Sequence, residues 1–216
     1  MRKINKDTPL KQFTEFVKKN KPSKWDDLPP DLRFEMRMNM LVLEQDCLCG
    51  YSEIPLTEES SSSHIDHFVK REHDNKKTFD WDNMIVSTVD EDFGGKYKDN
   101  TYKIQKNDYS QIFNPVIDDM VQYIEYGGDG SIIPKQNLDK KNKDKVIKTI
   151  EVFNLNDKSL KKRRAKLLSD LRNTKGIEKD DLIKYFQPQG FVSLIEWFSN
   201  CLLYTSPSPR DPKTSR

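Results

Sequence analysis

The sequence predicts an α+β fold, mainly helical, with a short ββα unit embedded between N- and C-terminal helices. Two observations carry this reading. Apolar residues recur at helical spacing near both ends of the chain, and near the middle His64 to Val69 alternates as a short strand would, with a second short strand fitting Trp81 to Ser87 across a polar loop rich in turn formers.

The elements follow in order. Thr8-Pro9 offers an N-cap and a first-turn proline, and Leu10, Phe13, Phe16 and Val17 then keep one helical face, so a first helix of about three turns is expected to close before Pro22. A second helix from Asp31 carries Leu32, Phe34, Met36, Met38, Met40, Leu41 and Leu43. Those residues span too much of the circumference for a surface helix, so burial on several sides is expected, with the methionines as core filler. Thr57 to Ser63 reads as a loop, His64 to Val69 and Trp81 to Ser87 as strands, and Lys96 to Asn100 as a short helix after the pair Gly94-Gly95.

Beyond it, Asp129-Gly130 is a strong hairpin signal within Tyr126 to Pro134. Asp139 to Phe153 and Lys158 to Arg172 are the best later helices, and Phe186 to Phe198 begins another. The Lys158 helix sets Leu160, Leu167, Leu168 and Leu171 against Lys161, Lys162, Arg163, Arg164 and Lys166, which reads either as a solvated face or as one that contacts phosphates. The regions expected are 1–46 helical, 47–105 around the ββα unit, 106–200 helical, and a tail at 201–216.

The tail is not expected to be native. Cys201 to Asp211, CLLYTSPSPRD, back-translates to the transposase-end adapter of sequencing libraries, and PKTSR fits the index and outer adapter. Native sequence is therefore expected to end near Asn200, with the true C-terminus missing. The formal charge of +2 falls to zero without the three basic residues and one acid of that tail, so overall charge does not identify a ligand. No stretch approaches the roughly 20 apolar residues of a membrane span, and MRKINKDTPL lacks a signal-peptide core, so a cytoplasmic protein with no membrane partner is expected. Cys47 and Cys49, one residue apart, are poorly placed to bridge each other and are read as reduced thiols.

All three histidines, His64, His67 and His73, fall in one ten-residue window beside Asp66 and shortly before Asp80-Trp81-Asp82-Asn83. Phosphodiester hydrolysis needs a base to activate water and a cation to neutralise charge on the phosphate. An Asp-His pair on a strand offers both groups, although neighbouring side chains point to opposite faces, so twist or a bulge must bring them to one cleft. His73 reads as structural or solvent-facing, and Asp80 and Asp82 as turn and capping groups.

His64-Ile-Asp-His67-Phe, Lys70, Phe79-Asp-Trp-Asp-Asn83-Met, Ile-Val-Ser87 and Gly-Gly-Lys96 together resemble the HNH nuclease subunit of Septu-type anti-phage defence systems (PtuB-like), found also as a retron effector. MRKI, the Cys49-Gly-Tyr-Ser-Glu53 turn, Asn114-Pro115, Asp129-Gly130 and Phe153-Asn-Leu-Asn156 extend the resemblance over nearly all of the native chain. The resemblance implies an endonuclease acting on DNA or RNA, with an HNH ββα-metal motif. It implies His67 as general base, Asp66 as metal ligand, and Asn83 as the residue that fixes the loop and orients His67 through a backbone bond. His64 and Lys96 follow as second-tier candidates.

A further ligand is implied on the helix. Counting from Asn83 places it at Asp92 and counting back from Lys96 places it at Phe93, which cannot ligate, so Asp92 is taken. An aspartate suits Mg²⁺, or Mn²⁺ in its stead. Many relatives hold a structural zinc by two cysteine pairs, but the equivalent places here read Cys49 and Ser52, then Thr88 and Glu91. No structural zinc is therefore expected, and packing by Trp81, Phe79, Tyr51 and the second helix is expected instead. The implied partners are a nucleic-acid substrate, a PtuA-like ATPase and, in retron versions, a reverse transcriptase with its RNA–DNA hybrid. The alternative is an inactive, HNH-derived module that binds nucleic acid or partner without cutting.

Overall fold

A computed structural model describes residues 1–174 and 178–205, and shows an α+β chain with two small antiparallel sheets. Helix α1 runs Lys11–Asn20 and α2 runs Pro30–Asn39, continuing into a π-helical turn at Met40–Glu44. Strands β1 (Ser63–His67) and β2 (Met84–Thr88) form the central hairpin, with His67 opposite Met84 and Asp66 opposite Ile85. A helical turn from Gly95 follows, π-wound at Tyr97–Thr101. Then come β3 (Ile124–Tyr126), β4 (Ile132–Pro134), α3 (Lys140–Phe153), α4 (Lys158–Asn173), α5 (Lys179–Phe186) and α6 (Val192–Thr205). No helix among the described residues is long and apolar enough to cross a membrane. The expected tail lies outside the described residues from position 206 onward.

The caps of the later helices are local. Asp139 accepts the Asn142 amide and Asp157 the Ser159 amide, each satisfying an otherwise orphaned N–H at a helix start. The β3–β4 hairpin turns through Asp129-Gly130 as the sequence predicts, with Gly130 at φ +79°. A Cβ there would meet the Lys161 carbonyl at 2.2 Å, so the turn lies directly against α4.

Several expectations are corrected. Leu10, not Thr8, caps α1, because Lys6 and the Asp7 amide are drawn to the buried Glu44 carboxylate and the chain stays extended until Lys11. The second helix is buried on one side only. Met36, Met40 and Leu41 are wholly buried, while Phe34 and Leu43 are about half and nearly two-thirds exposed (49% and 63%). The second strand begins at Met84, since Asp80 accepts the Asp82 amide and winds Trp81–Asn83 into a 3-10 turn. Phe186 to Phe198 is split rather than continuous: Pro188 opens a 3-10 turn and Gly190, at φ +79°, presses on the Glu53 carbonyl before α6 starts. Arg164 leaves the basic face of α4 and is 1% exposed, donating to the Gly130 and Leu155 carbonyls and to Asn156 Oδ1.

One aromatic stack ties the C-terminal half to the hairpin. Phe153, the last residue of α3, lies 4.3 Å from the Tyr51 ring and 6.4 Å from Phe68. Its carbonyl accepts the Gly94 amide, so the end of α3 sets where the helical turn begins.

Candidate functional site

β2 is buried along its whole length, which anchors β1 beside it and leaves the end of β1 to line a cleft. His64, Asp66, His67, Lys70, Arg71 and Asp99 are among the residues enclosing this cleft of about 350 Å³. The sequence-expected Asp66 and His67 thus both line one opening.

His67 is 7% exposed, and its Nε2 lies 2.9 Å from the Thr78 carbonyl oxygen. A carbonyl can only accept, so Nε2 carries the hydrogen and the neutral ring keeps its lone pair on Nδ1. Trp25 packs against the imidazole edge-on at 4.9 Å. Burial pulls His67 below the ordinary histidine range, and the Thr78 bond and Asp66 only partly offset it.

Asn83 holds the loop that carries Thr78. Its Oδ1 accepts the Val69 amide, and its Nδ2 donates to the carbonyls of Val69 and Lys77, the residue before Thr78. One buried amide therefore fixes both ends of the loop.

Asp66 is 5% exposed. Its Oδ2 accepts from the Tyr51 hydroxyl at 2.5 Å and faces Lys98 Nζ at 3.2 Å, while Lys98 also reaches Asp99 Oδ1 at 2.8 Å. Burial, and then the nearby Asp66 charge, raises the Asp99 carboxyl above its usual range despite Lys98. Burial followed by Asp66 likewise drives the Tyr51 phenol well up, so it remains a donor. Gly95 permits this closeness, because a Cβ there would stand 2.7 Å from Asp66 Cγ.

The remaining candidates are dispersed. Asp92 is exposed, its carbonyl pinned by Asn154 Nδ2 and its amide by Asp90, and it is not among the cleft-lining residues. The acid that the helical turn brings to Asp66 is Asp99. Lys96 points to Glu91 at 3.5 Å. His64 lines the cleft with a buried Nδ1 that has no hydrogen-bond partner, and burial lowers its basicity. His73 bonds the Tyr109 hydroxyl. Cys49 Sγ lies 3.7 Å from Ser87 Oγ, which also accepts the Gly95 amide.

Sequence reasoning missed Lys98 and Asp99. The available signal was the Gly94-Gly95 pair, which marks where backbone must approach a neighbour and so where the facing helix starts. Asp66 and Asp99 supply two hard oxygen donors, the number with which Mg²⁺ is commonly held beside waters and substrate phosphate. Among the described residues no group of three or more His, Cys, Asp or Glu side chains is placed to hold a metal, as a zinc cage would require.

No protein-family model matches this chain, and no curated protein matches it.

Proposed function

We propose that the chain is a metal-dependent HNH-type endonuclease, the nuclease subunit of a Septu- or retron-type defence system, working with a PtuA-like ATPase. The observation that carries this reading is the His67 imidazole, whose hydrogen is committed to Thr78 while Asp66 and Asp99 sit at the same cleft.

In this reading Nδ1 of His67 takes a proton from a water molecule, whose oxygen attacks the phosphodiester phosphorus as the opposite P–O bond breaks. The low basicity of the buried ring keeps it unprotonated at neutral pH. A divalent ion, when bound, would neutralise charge on the phosphate and on the departing oxygen. Asp66 and Asp99 would hold it, Mg²⁺ or Mn²⁺, and Tyr51 orients Asp66. Asn83 positions His67 without touching substrate. Lys70 and Arg71, at the cleft rim, meet the phosphate backbone. The resemblance extends the partners to a reverse transcriptase and its RNA–DNA hybrid, and a cytoplasmic location accompanies it.

The second reading, a binding module without cleavage, is favoured by one observation: the Lys98 ammonium already bridges the two carboxylates. The test is cleavage of plasmid DNA and of bulk tRNA by the full chain co-expressed with its ATPase, in Mg²⁺ or Mn²⁺. Cleavage that disappears in His67→Ala supports the nuclease; cleavage that survives this change ends the assigned mechanism. Binding without cleavage in the wild type supports the second reading.

A further inference from the structure

Lys98 is a charged side chain with no solvent exposure. Its Nζ lies 2.8 Å from Asp99 Oδ1 and 3.2 Å from Asp66 Oδ2, and it donates to the carbonyl oxygens of His67 at 3.0 Å and Phe68 at 3.4 Å. Two carboxylate and two carbonyl oxygens thus surround one positive centre. This is the kind of oxygen shell a hard cation takes, and here the sequence supplies the cation itself.

We propose that Lys98 is the resident cation of the Asp66–Asp99 pair and competes with a divalent ion for it. The inference rests on the reading of these two aspartates as the ion-holding carboxylates of a nuclease. An ammonium this close to both acids repels a second cation strongly in a water-poor site. It also occupies oxygens that ion would use, so loading requires the flexible lysine stem to withdraw. Withdrawal leaves a buried charge in need of a new anionic partner, and a phosphodiester arriving beside His67 is one. Nucleic acid and divalent ion therefore assist each other's binding, by the same factor in each direction. The free protein holds its ion weakly and the substrate-bound protein holds it well.

The test is Mn²⁺ binding to the full chain, followed by electron paramagnetic resonance of the free ion, with no cleavage readout. Without nucleic acid, Lys98→Met is expected to bind Mn²⁺ about tenfold or more tighter than wild type, because the competing charge is gone, while Lys98→Arg, which keeps the charge, stays weak. A single-stranded phosphorothioate oligonucleotide is expected to tighten Mn²⁺ binding to wild type and to leave Lys98→Met little changed. If the methionine variant folds poorly without ion, melting in EDTA and in Mn²⁺ gives the same answer, with a larger Mn²⁺-induced rise in Tm than in wild type. Equal Mn²⁺ affinity, or an equal rise in Tm, in the two proteins overturns the competition. If Asp66→Asn abolishes Mn²⁺ binding while Lys98→Met leaves it unchanged, the competition fails and the nuclease reading stands. If no variant binds Mn²⁺ even with the oligonucleotide, both fail.

Discussion

Asn83 brackets Val69 from both sides, its Oδ1 2.8 Å from the Val69 amide and its Nδ2 3.0 Å from the Val69 carbonyl. The side chain acts as one more rung of the β1–β2 ladder beyond the point where the backbones diverge, just after Phe68 donates to the Asn83 carbonyl. Asn83→Ala leaves those backbone groups and the Lys77 carbonyl without partners in a partly buried place. The expected loss is about 2–4 kcal/mol in urea denaturation. Asn83→Asp is not expected to rescue it, since a carboxylate oxygen would then face two carbonyls. Wild-type stability in the alanine variant would show that the loop holds itself.

His67 gives a pH prediction with a definite sign. Its folded-state pKa lies below the ordinary 6.5, because burial opposes the charged ring. As pH falls below that value the unfolded chain takes up the proton first, so native stability is full above about pH 6.5 and declines beneath it. His64 shifts the same way and adds to the slope. Cleavage, limited by the neutral base, is expected to hold its rate down to pH values under 6.5 and then fall. Initial rates between about pH 5 and 8 test this, and a midpoint at or above 7 would remove His67 from the role of base.

Arg164 is expected to matter for stability rather than for nucleic-acid contact. Arg164→Met strands the Gly130 and Leu155 carbonyls and is expected to cost about 2–5 kcal/mol. Arg164→Lys should recover less than half of that, since an ammonium cannot reproduce the planar fork. Oligonucleotide affinity of whatever variant remains folded should match wild type; a large loss would place Arg164 at the ligand instead.

Gly95→Ala puts a methyl 2.7 Å from Asp66 Cγ. Relief requires either the helical turn or the carboxylate to move, at a cost of about 1–3 kcal/mol in thermal melts. The bond from Tyr51 should loosen with it, visible as a shift in tyrosine absorbance. An alanine variant with the wild-type melting temperature would show that the turn has slack.

What could be read from the sequence depended on how local its cause was. Helices α3 and α4 were legible almost to the residue, because an aspartate cap and an apolar stripe lie within each segment. The hairpin was legible as two short strands around a polar loop, although its second strand begins at Met84 rather than Trp81. Asp99 was not, since counting from Asn83 assumes even spacing, whereas the turn through Asp90 and Gly94 uses up residues before the helix begins. π winding at Tyr97–Thr101 then changes which residues face β1. The burial of Arg164, read from the sequence as part of a basic face, was not legible because its partners, Gly130, Leu155 and Asn156, converge only after the β3–β4 turn has docked on α4. The exposed faces of Phe34 and Leu43 show the converse, that an apolar composition says how much surface a helix offers and not how much its neighbours cover.

Glu53 joins parts of the chain that are made far apart in time. Its carboxylate pairs with the Met1 ammonium at 2.9 Å and accepts from the amide and hydroxyl of Ser193, and its carbonyl takes the Phe191 amide. Both of its later partners, Phe191 and Ser193, follow it in the chain, Ser193 by 140 residues. Closure around it has a long loop to close, so this step is expected to slow folding even though the central hairpin pairs early.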